Sequence, residues 1–396
     1  MRIETLRRLL TPMGQEALQL VEAAKPREED FLAHYQALSR RYEPELARAA
    51  LEIAIARIKA AAKFPFASQL YATREALEQA SNWEISTYRA GRYRPYQRAI
   101  DLGCSIGGDT LALAGVVPTL GVDMDALRLM MARLNAQALG LNQQADFIQA
   151  DLRVALPFQA RRSSSVAFFD PARRREGRRV WSVEAYQPPL SIVKDWLLRF
   201  SGLGVKISPG VKLIELRQYD AEVEFISLNG ELKEAVLWFS ELKTTDRRAT
   251  LLPGAHSLTA ETDSPAMISD PRAFLYEPDP AILRAGLVRR LAELLGAAQL
   301  DPEIAYLTAE QRRETPFARS WQVEDWFPFN LKRLRAYLHE HRIGRVTIKK
   351  RGSPLQPEAL LHDLRLAGEE ERVLFLTRVR GKPAVIVARE EQTQSK

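Results

Sequence analysis

The chain has 396 residues, too many for one ordinary hydrophobic core, so two or three domains are expected. With 46% hydrophobic and 27% charged residues, no apolar run near the length of a membrane span and a charged start (Met1-Arg-Ile-Glu-Thr5) without a secretory apolar core, it reads as a soluble globular protein. One cysteine excludes an intrachain disulfide and a cysteine-rich zinc site, which points to the cytoplasm, while a net charge of +7 allows a polyanionic partner without establishing one.

Residues 1–95 read as a helical domain. Thr11-Pro12 is a helix start, a capping hydroxyl followed by proline at the first turn. Glu43 to Lys63 predicts a long amphipathic helix with Ala47, Leu51, Ala54, Ile55 and Ile58 along one face. The stretch Ser81 to Tyr93 leads into the first strand, and its aromatics are either core packing or a cover for the site.

Residues 96–260 read as an α/β domain. Ala99-Ile-Asp-Leu-Gly103 is a buried strand that runs into Cys104-Ser-Ile-Gly-Gly-Asp109, a glycine turn opening a helix. Pro118 to Asp125 is a second strand ending in acids, at about the 20-residue offset where a doubly wound sheet places the carboxylate that holds ribose hydroxyls. Asp146 to Asp151 is a third strand, and Ser165-Val-Ala-Phe-Phe169 is a fourth that enters Asp170-Pro-Ala-Arg173. Gln187 to Phe200 predicts a helix and Gly204 to Ser208 a fifth strand. The run Ala221 to Phe239, broken at Asn229-Gly230, predicts a β-hairpin. Strands that alternate with helices and end in polar residues describe a parallel sheet with its site along the strand C-terminal ends.

Residues 261–320 read as a connecting segment with a helix over Pro280 to Leu295. Residues 321–396 then take a β-α-β-α-β-β order that suits a ferredoxin-like or related α+β domain with a disordered tail from Glu390. Basic residues cluster in two places: Arg161, Arg162, Arg173, Arg174, Arg175, Arg178 and Arg179 around the fourth strand, and Lys332 to Arg351 in the last domain. Either cluster serves phosphate contacts or solvates exposed loops and edges.

The glycine turn suits two ligand classes, a dinucleotide or S-adenosylmethionine. Its register, Gly103-x-x-x-Gly107-Gly108, departs from G-x-G-x-x-G, and Asp109 is a poor neighbour for a pyrophosphate. Asp101 instead suits an ammonium group. The five histidines have no metal-ligand spacing with acids or with the cysteine, and no metal is expected.

The segments Asp101-Leu-Gly-Cys-Ser-Ile-Gly-Gly-Asp109, Gly121-Val-Asp-Met-Asp125, Ala150-Asp151 and Phe169-Asp-Pro-Ala-Arg173 resemble successive motifs of the class I S-adenosylmethionine-dependent methyltransferases. More closely, the chain resembles bacterial methyltransferases that carry an N-terminal helical region and a C-terminal THUMP-like domain, with Val205 to Gly210, Ile226 to Lys233 and Leu275 to Ile282 as further similar stretches. The resemblance implies a Rossmann-like sheet with an antiparallel hairpin, and S-adenosylmethionine as cofactor. It implies that Asp101, Gly103 and Gly107 line the methionine end, that Asp123 accepts from the ribose hydroxyls with Met124 on the adenine face, and that Asp151 accepts from the adenine amine.

For the acceptor, Asp170-Pro171 resembles the Asp/Asn-Pro-Pro-aromatic motif of methyltransferases acting on exocyclic amines of nucleobases, but Ala172 replaces the second proline and Arg173 the aromatic. A guanidinium also stacks on bases. The likeness to the Asp-Pro-Pro-Arg of uracil-C5 enzymes fails for lack of a suitable cysteine, because Cys104 sits in the cofactor turn. The expected catalytic set is therefore Asp170, Pro171 and Arg173, acting on a base nitrogen of RNA that the THUMP-like domain helps to bind, while Lys206 on the fifth strand either acts near the acceptor or, as is commoner for a strand-end lysine, is solvated. The rival readings are a methyltransferase acting on protein or a small molecule, and a non-catalytic RNA-binding protein that keeps the fold.

Overall fold

The computed structural model describes residues 1–154, 156, 165–175, 178–180, 182–260 and 267–390, and only the backbone of 174, 175, 178 and 179. Arg161 and Arg162 and the tail from 391 lie outside the described residues, as do the side chains of Arg174, Arg175, Arg178 and Arg179. The chain forms two compact units, one of residues 1–223 with 234–244 and the other of 224–233 with 245–396.

The first unit opens with helices α1 (Ile3–Leu9), α2 (Pro12–Ala23), α3 (Phe31–Leu38), α4 (Pro44–Ala60), α5 (Arg74–Gln79) and α6 (Trp83–Ala90). Thr11 caps α2 by accepting from the Gly14 N–H, as its sequence predicts. Ala47, Leu51, Ala54 and Ile55 of α4 are buried, but Ile58 is 49% exposed, because the buried face of the last turns runs through Ala56 and Ala60 instead. The helices do not close a core of their own. Leu51, Ile53 and Phe64 pack in one cluster with Ile106 and Met131, which belong to the α/β part, so residues 1–95 are not a separate domain in packing terms.

The first unit's part of the sheet holds β1 (Arg98–Leu102), β2 (Thr119–Asp123), β3 (Ala145–Gln149), β4 (Ser165–Phe169), β7 (Gly202–Ile207) and β9 (Glu231–Ser240), in the order β9-β7-β4-β1-β2-β3, and β8 (Ala221–Leu228) leads into β9 along the chain. The strands from β7 to β3 are parallel and β9 runs antiparallel to β7. Strand order reverses between β1 and β4, which is where a doubly wound sheet opens a crevice. Helices α7 (Gly108–Ala114) and α8 (Ala126–Ala138) connect β1 to β3, and a short ribbon, β5 (Arg174–Arg175) with β6 (Arg178–Arg179), comes after β4. The helix expected over 187–200 shrinks to a 3₁₀ turn and α9 (Val193–Trp196), since Pro188 and Pro189 have no N–H to donate and Gln187 instead pairs its backbone with Ala172. A further turn, α10 (Leu213–Leu216), precedes the hairpin, whose Asn229-Gly230 corner has both φ angles positive (53° and 78°) as a type I′ turn requires.

The second unit contains the hairpin β10 (Arg247–Leu252) and β11 (His256–Thr259), then β12 (Phe274–Pro278), α11 (Pro280–Ala285), α12 (Val288–Leu295), β13 (Ala298–Asp301), β14 (Ile304–Ala309), β15 (Ala318–Pro328), α13 (Leu331–Glu340), β16 (Ile343–Lys350), α14 (Pro357–Leu364), β17 (Glu370–Val379) and β18 (Lys382–Arg389). The single helix expected over 280–295 is two, broken where Gly286 takes φ 72°. The segment 261–320 is more than a connector: β12, β13 and β14 join the β-α-β-α-β-β module in one sheet of order β13-β14-β12-β15-β18-β17-β16. Alternation along β17 buries both faces, with Val373 and Phe375 beside Tyr306 and Trp321 and with Leu374 and Leu376 beside Leu334 and Leu360 of the helices. Strand β16 is at the sheet edge, and much of its charge is spent internally. Lys349 Nζ donates to Glu277 at 2.5 Å and Arg351 lies 3.9 Å from the same carboxylate.

In the first unit, Gly204 of β7 lets two aromatics meet over the sheet: a Cβ there would lie 2.4 Å from Tyr93 Oη and 2.6 Å from the Trp238 ring. Gly204→Ala is expected to destabilise the fold by about 1–3 kcal/mol through overpacking, read as a lower midpoint in denaturant unfolding.

Candidate functional site

A cavity of about 430 Å³ opens at the C-terminal ends of β1, β2 and β4, in the first unit, a volume suited to a cofactor-sized ligand. Gly103, Cys104, Ser105, Ile106, Gly108 and Asp109 form one wall, Asp123, Met124 and Asp151 another, and Asp170, Pro171, Ala172 and Arg173 a third. Residues 76, 78 and 79 of α5, with 80 and 81 just after it, line it from the helical region. Lys63 shapes that wall by donating to the carbonyls of Leu77, Glu78 and Ala80.

The glycine turn is held tightly. The N–H groups of Gly103 and Cys104 both donate to Val122 O, and Gly103 takes φ 89°, where a Cβ would come within 3.1 Å of Asp170 O. Only glycine keeps this approach open between the first and fourth strand ends. Gly107 also has positive φ (88°), but its Cβ position faces Ala132 rather than the cavity, and its role is to let the turn enter α7 beside α8. Asp123, at the end of β2, accepts from Ser105 N (2.8 Å) and Asp125 N (2.9 Å), which fixes its carboxylate at the turn. Asp125, not Asp123, caps α8. Met124 is 57% exposed at the rim, an apolar surface that a planar ring can cover. Asp151 is bound by Arg153, whose hydrogen bonds lower its pKa to about 2, so an adenine amine would have to share that carboxylate.

Of the residues expected at the site, Gly103, Asp123, Met124, Asp151, Asp170, Pro171 and Arg173 line the cavity, whereas Asp101 and Gly107 do not. Asp101 is buried behind the turn. Its Oδ2 accepts from Thr110 Oγ1 at 2.6 Å, and its Oδ1 has no hydrogen-bond partner among the described residues. Burial, and then the neighbouring Asp109, pushes its carboxyl well above the usual range. Cys104 is likewise buried, and burial pushes its thiol well up, which makes it a poor nucleophile at neutral pH.

Sequence reasoning missed the charges behind this wall. Arg89 of α6 is buried, lies 4.5 Å over the Phe168 ring, and pairs with Asp109 (2.6 Å) and Glu234 (3.1 Å). Burial opposes its charge, but Asp109, Glu234 and Asp170 outweigh that and raise its pKa. Glu234 is raised by burial. Of the two readings of Lys206, the structure shows the one near Asp170: its side chain is only 4% exposed and donates to Asp170 Oδ2 at 2.6 Å. The placement has a register cause: Phe169 pairs with Val205, so the next residues stand side by side at the covered end of the sheet. A lysine inside the apolar run Gly-Leu-Gly-Val-Lys-Ile was the available signal; Arg89 and Glu234 had none, being partners only through the fold.

Four carboxyl groups (Asp101, Asp109, Asp170 and Glu234) thus gather around two cations, Arg89 and Lys206. With the unpartnered Asp101 oxygen and the open glycine cradle, this acid-rich end fits a ligand carrying positive charge, as the sulfonium and ammonium of S-adenosylmethionine do.

The chain is 35% identical over 320 residues to an uncharacterised S-adenosylmethionine-dependent methyltransferase of Mycobacterium tuberculosis, found in strains CDC 1551 and H37Rv, covering 79% of this chain and 86% of the relative. The chain belongs to this family of S-adenosylmethionine-dependent methyltransferases. Residues 318–390 match the THUMP domain-like family, and residues 2–60 match a domain of unknown function (DUF8688). The same fold occurs in a crystal structure from Porphyromonas gingivalis W83 designated a methyltransferase, with TM-score 0.74, 23% identity, and coverage of 93% of this chain and 100% of that one. Among the described residues of this methyltransferase, no group of three or more His, Cys, Asp or Glu is arranged to hold a metal ion, and no helix is long and apolar enough to cross a membrane.

Because Asp101 is raised, the unfolded chain gives up a proton that the native state keeps. Wild-type stability therefore falls as pH rises from the ordinary carboxylate value of 3.8 toward the native one. Asp101→Asn removes that loss. Denaturant unfolding should show the variant gaining on wild type as pH rises above the ordinary carboxylate value, and no gain would count against a raised Asp101.

Proposed function

We propose that this methyltransferase acts on RNA, at a base nitrogen, with Asp170 orienting the acceptor. The observation that carries the reading is the position of Asp170-Pro171 at the end of β4, on the cavity wall beside the glycine turn, with the carboxylate anchored from behind by Lys206. When bound, the cofactor supplies an electrophilic methyl group on a sulfonium. Asp123 holds the ribose hydroxyls with the lone pairs left after Ser105 and Asp125, and Met124 covers the adenine face. Asp151, paired to Arg153, is a charged wall at that end rather than a free acceptor. Asp101 backs the turn through its hydrogen bond with Thr110, and Gly103 and Gly107 give the turn its shape.

A neutral nitrogen needs no base before methyl transfer; it needs alignment and exclusion of water. The Asp170 carboxylate, 21% exposed, accepts an N–H of the amine and so turns the nitrogen lone pair into the cavity. Pro171, buried, keeps the loop rigid, and Arg173 on the wall stacks on the base or meets a phosphate. Arg174 continues this basic run.

RNA as the acceptor is supported by the THUMP-like match at residues 318–390, since modules of this kind present RNA in the enzymes they resemble. The edge strand β16 adds less than its sequence promised, because Glu277 already neutralises Lys349.

The test is transfer of labelled methyl to fractionated RNA and protein from a deletion strain. The RNA fraction should be labelled, and Asp170→Ala should lower the rate by about 100-fold or more with cofactor affinity within about threefold. Label confined to protein or small molecules would overturn the RNA reading, and an undiminished Asp170→Ala rate would remove Asp170 from the chemistry. Asp123→Ala should weaken cofactor binding by about 10-fold, measured by calorimetry.

A further inference from the structure

We infer that Lys206 is a positioning residue for methyl transfer, holding the Asp170 carboxylate in place and aimed at the acceptor. The inference rests on the assignment of Asp170 as the acceptor-orienting group.

Lys206 does not line the cavity, so it is not placed to touch substrate or cofactor. It stands behind Asp170, with a side chain 4% exposed and Nζ 2.6 Å from Asp170 Oδ2. One carboxylate oxygen is thereby committed to the ammonium, which leaves the other to take an amine N–H. A buried lysine costs several kcal/mol of desolvation, a poor way to hold a loop that backbone pairing already holds. The loop has that pairing: Asp170 N donates to Leu102 O, and Ala172 exchanges two backbone hydrogen bonds with Gln187.

The surroundings of Lys206 also suit a charge role. On the β9 side Lys206 pairs with Val236, and Glu234, two residues along, projects from the same sheet face. Glu234 is in turn tied to Arg89, which is tied to Asp109 in the cofactor turn. Asp170 is therefore the cavity-facing end of a buried charge row that begins in the glycine turn. Without Lys206, the Asp170 carboxylate would stand among Asp101, Asp109 and Glu234 with no cation to hold it, free to turn away from the acceptor.

The experiment uses the full-length chain as wild type, Lys206→Met, Asp170→Ala and the double variant. It measures labelled-methyl transfer to RNA, protein and small-molecule fractions of a deletion strain, cofactor affinity by calorimetry, and thermal unfolding. Lys206→Met is expected to lower kcat by about 100-fold, as Asp170→Ala does, with acceptor KM and cofactor affinity within about threefold, and the double variant should be no worse than Asp170→Ala alone. A Lys206→Met rate within threefold of wild type would overturn the inference, as would losses that multiply in the double variant or a kcat loss matched by lost cofactor affinity and early unfolding. If the label appears in protein or small molecules, the RNA reading falls while the same cycle, read on that fraction, still decides the role of Lys206. A wild type that labels no fraction overturns both.

Discussion

The site depends on a buried row of charges on one face of the parallel sheet, covered by α6. Arg89 bridges Asp109 of the glycine turn and Glu234 of β9, and Lys206 completes the row at Asp170. Ion pairs this deep gain little net stability, because their Coulomb attraction is offset by desolvation. Their value is geometric. Each charge is tolerated only while its partner stays within hydrogen-bond distance, so the helix, the turn and three strand ends are held in one arrangement. The helical region is thus part of the enzyme's core in both senses: it shares apolar packing through Ile106 and Met131, and it supplies the central cation of the site.

The row also explains why the cavity suits a cationic cofactor. Behind the glycine turn carboxyl groups outnumber cations, and Asp101 and Glu234, raised by burial, answer the excess by favouring their protonated forms. A ligand that brings positive charge to Gly103 and Asp109 supplies the counter-charge this row lacks. The opposite wall differs in kind: backbone N–H groups lock Asp123, and Met124 is apolar.

Much of the fold was legible because it rests on local rules. The Thr11 cap, the Asn229-Gly230 turn and the alternating strands of the C-terminal module arise from capping, φ preference and period-2 burial, all visible within a few residues. The misreadings share a cause as well. The break at Gly286, the short helix after Pro188-Pro189 and the three strands inside 261–320 depend on what each segment meets in space. Short strands such as Ala298–Asp301 carry too little pattern to be distinguished from a loop until a neighbour pairs with them.

Much of the cavity lining was written in contiguous motifs: the turn from Asp101 to Asp109, the acids after β2 and the Asp170-Pro171 strand end. Those motifs determined the family and the cofactor, because a glycine turn and a strand-end acid act through backbone geometry that neighbouring residues set. Only the tertiary structure decided that Asp101 and Gly107 stand back from the cavity, that Lys206 is buried against Asp170, and that Arg89 and Glu234 belong to the site at all. The physical reason is that burial and ion pairing are properties of neighbours in space. The partners here come from α6, α7, β4, β7 and β9, and no stretch of the chain contains the information that they meet.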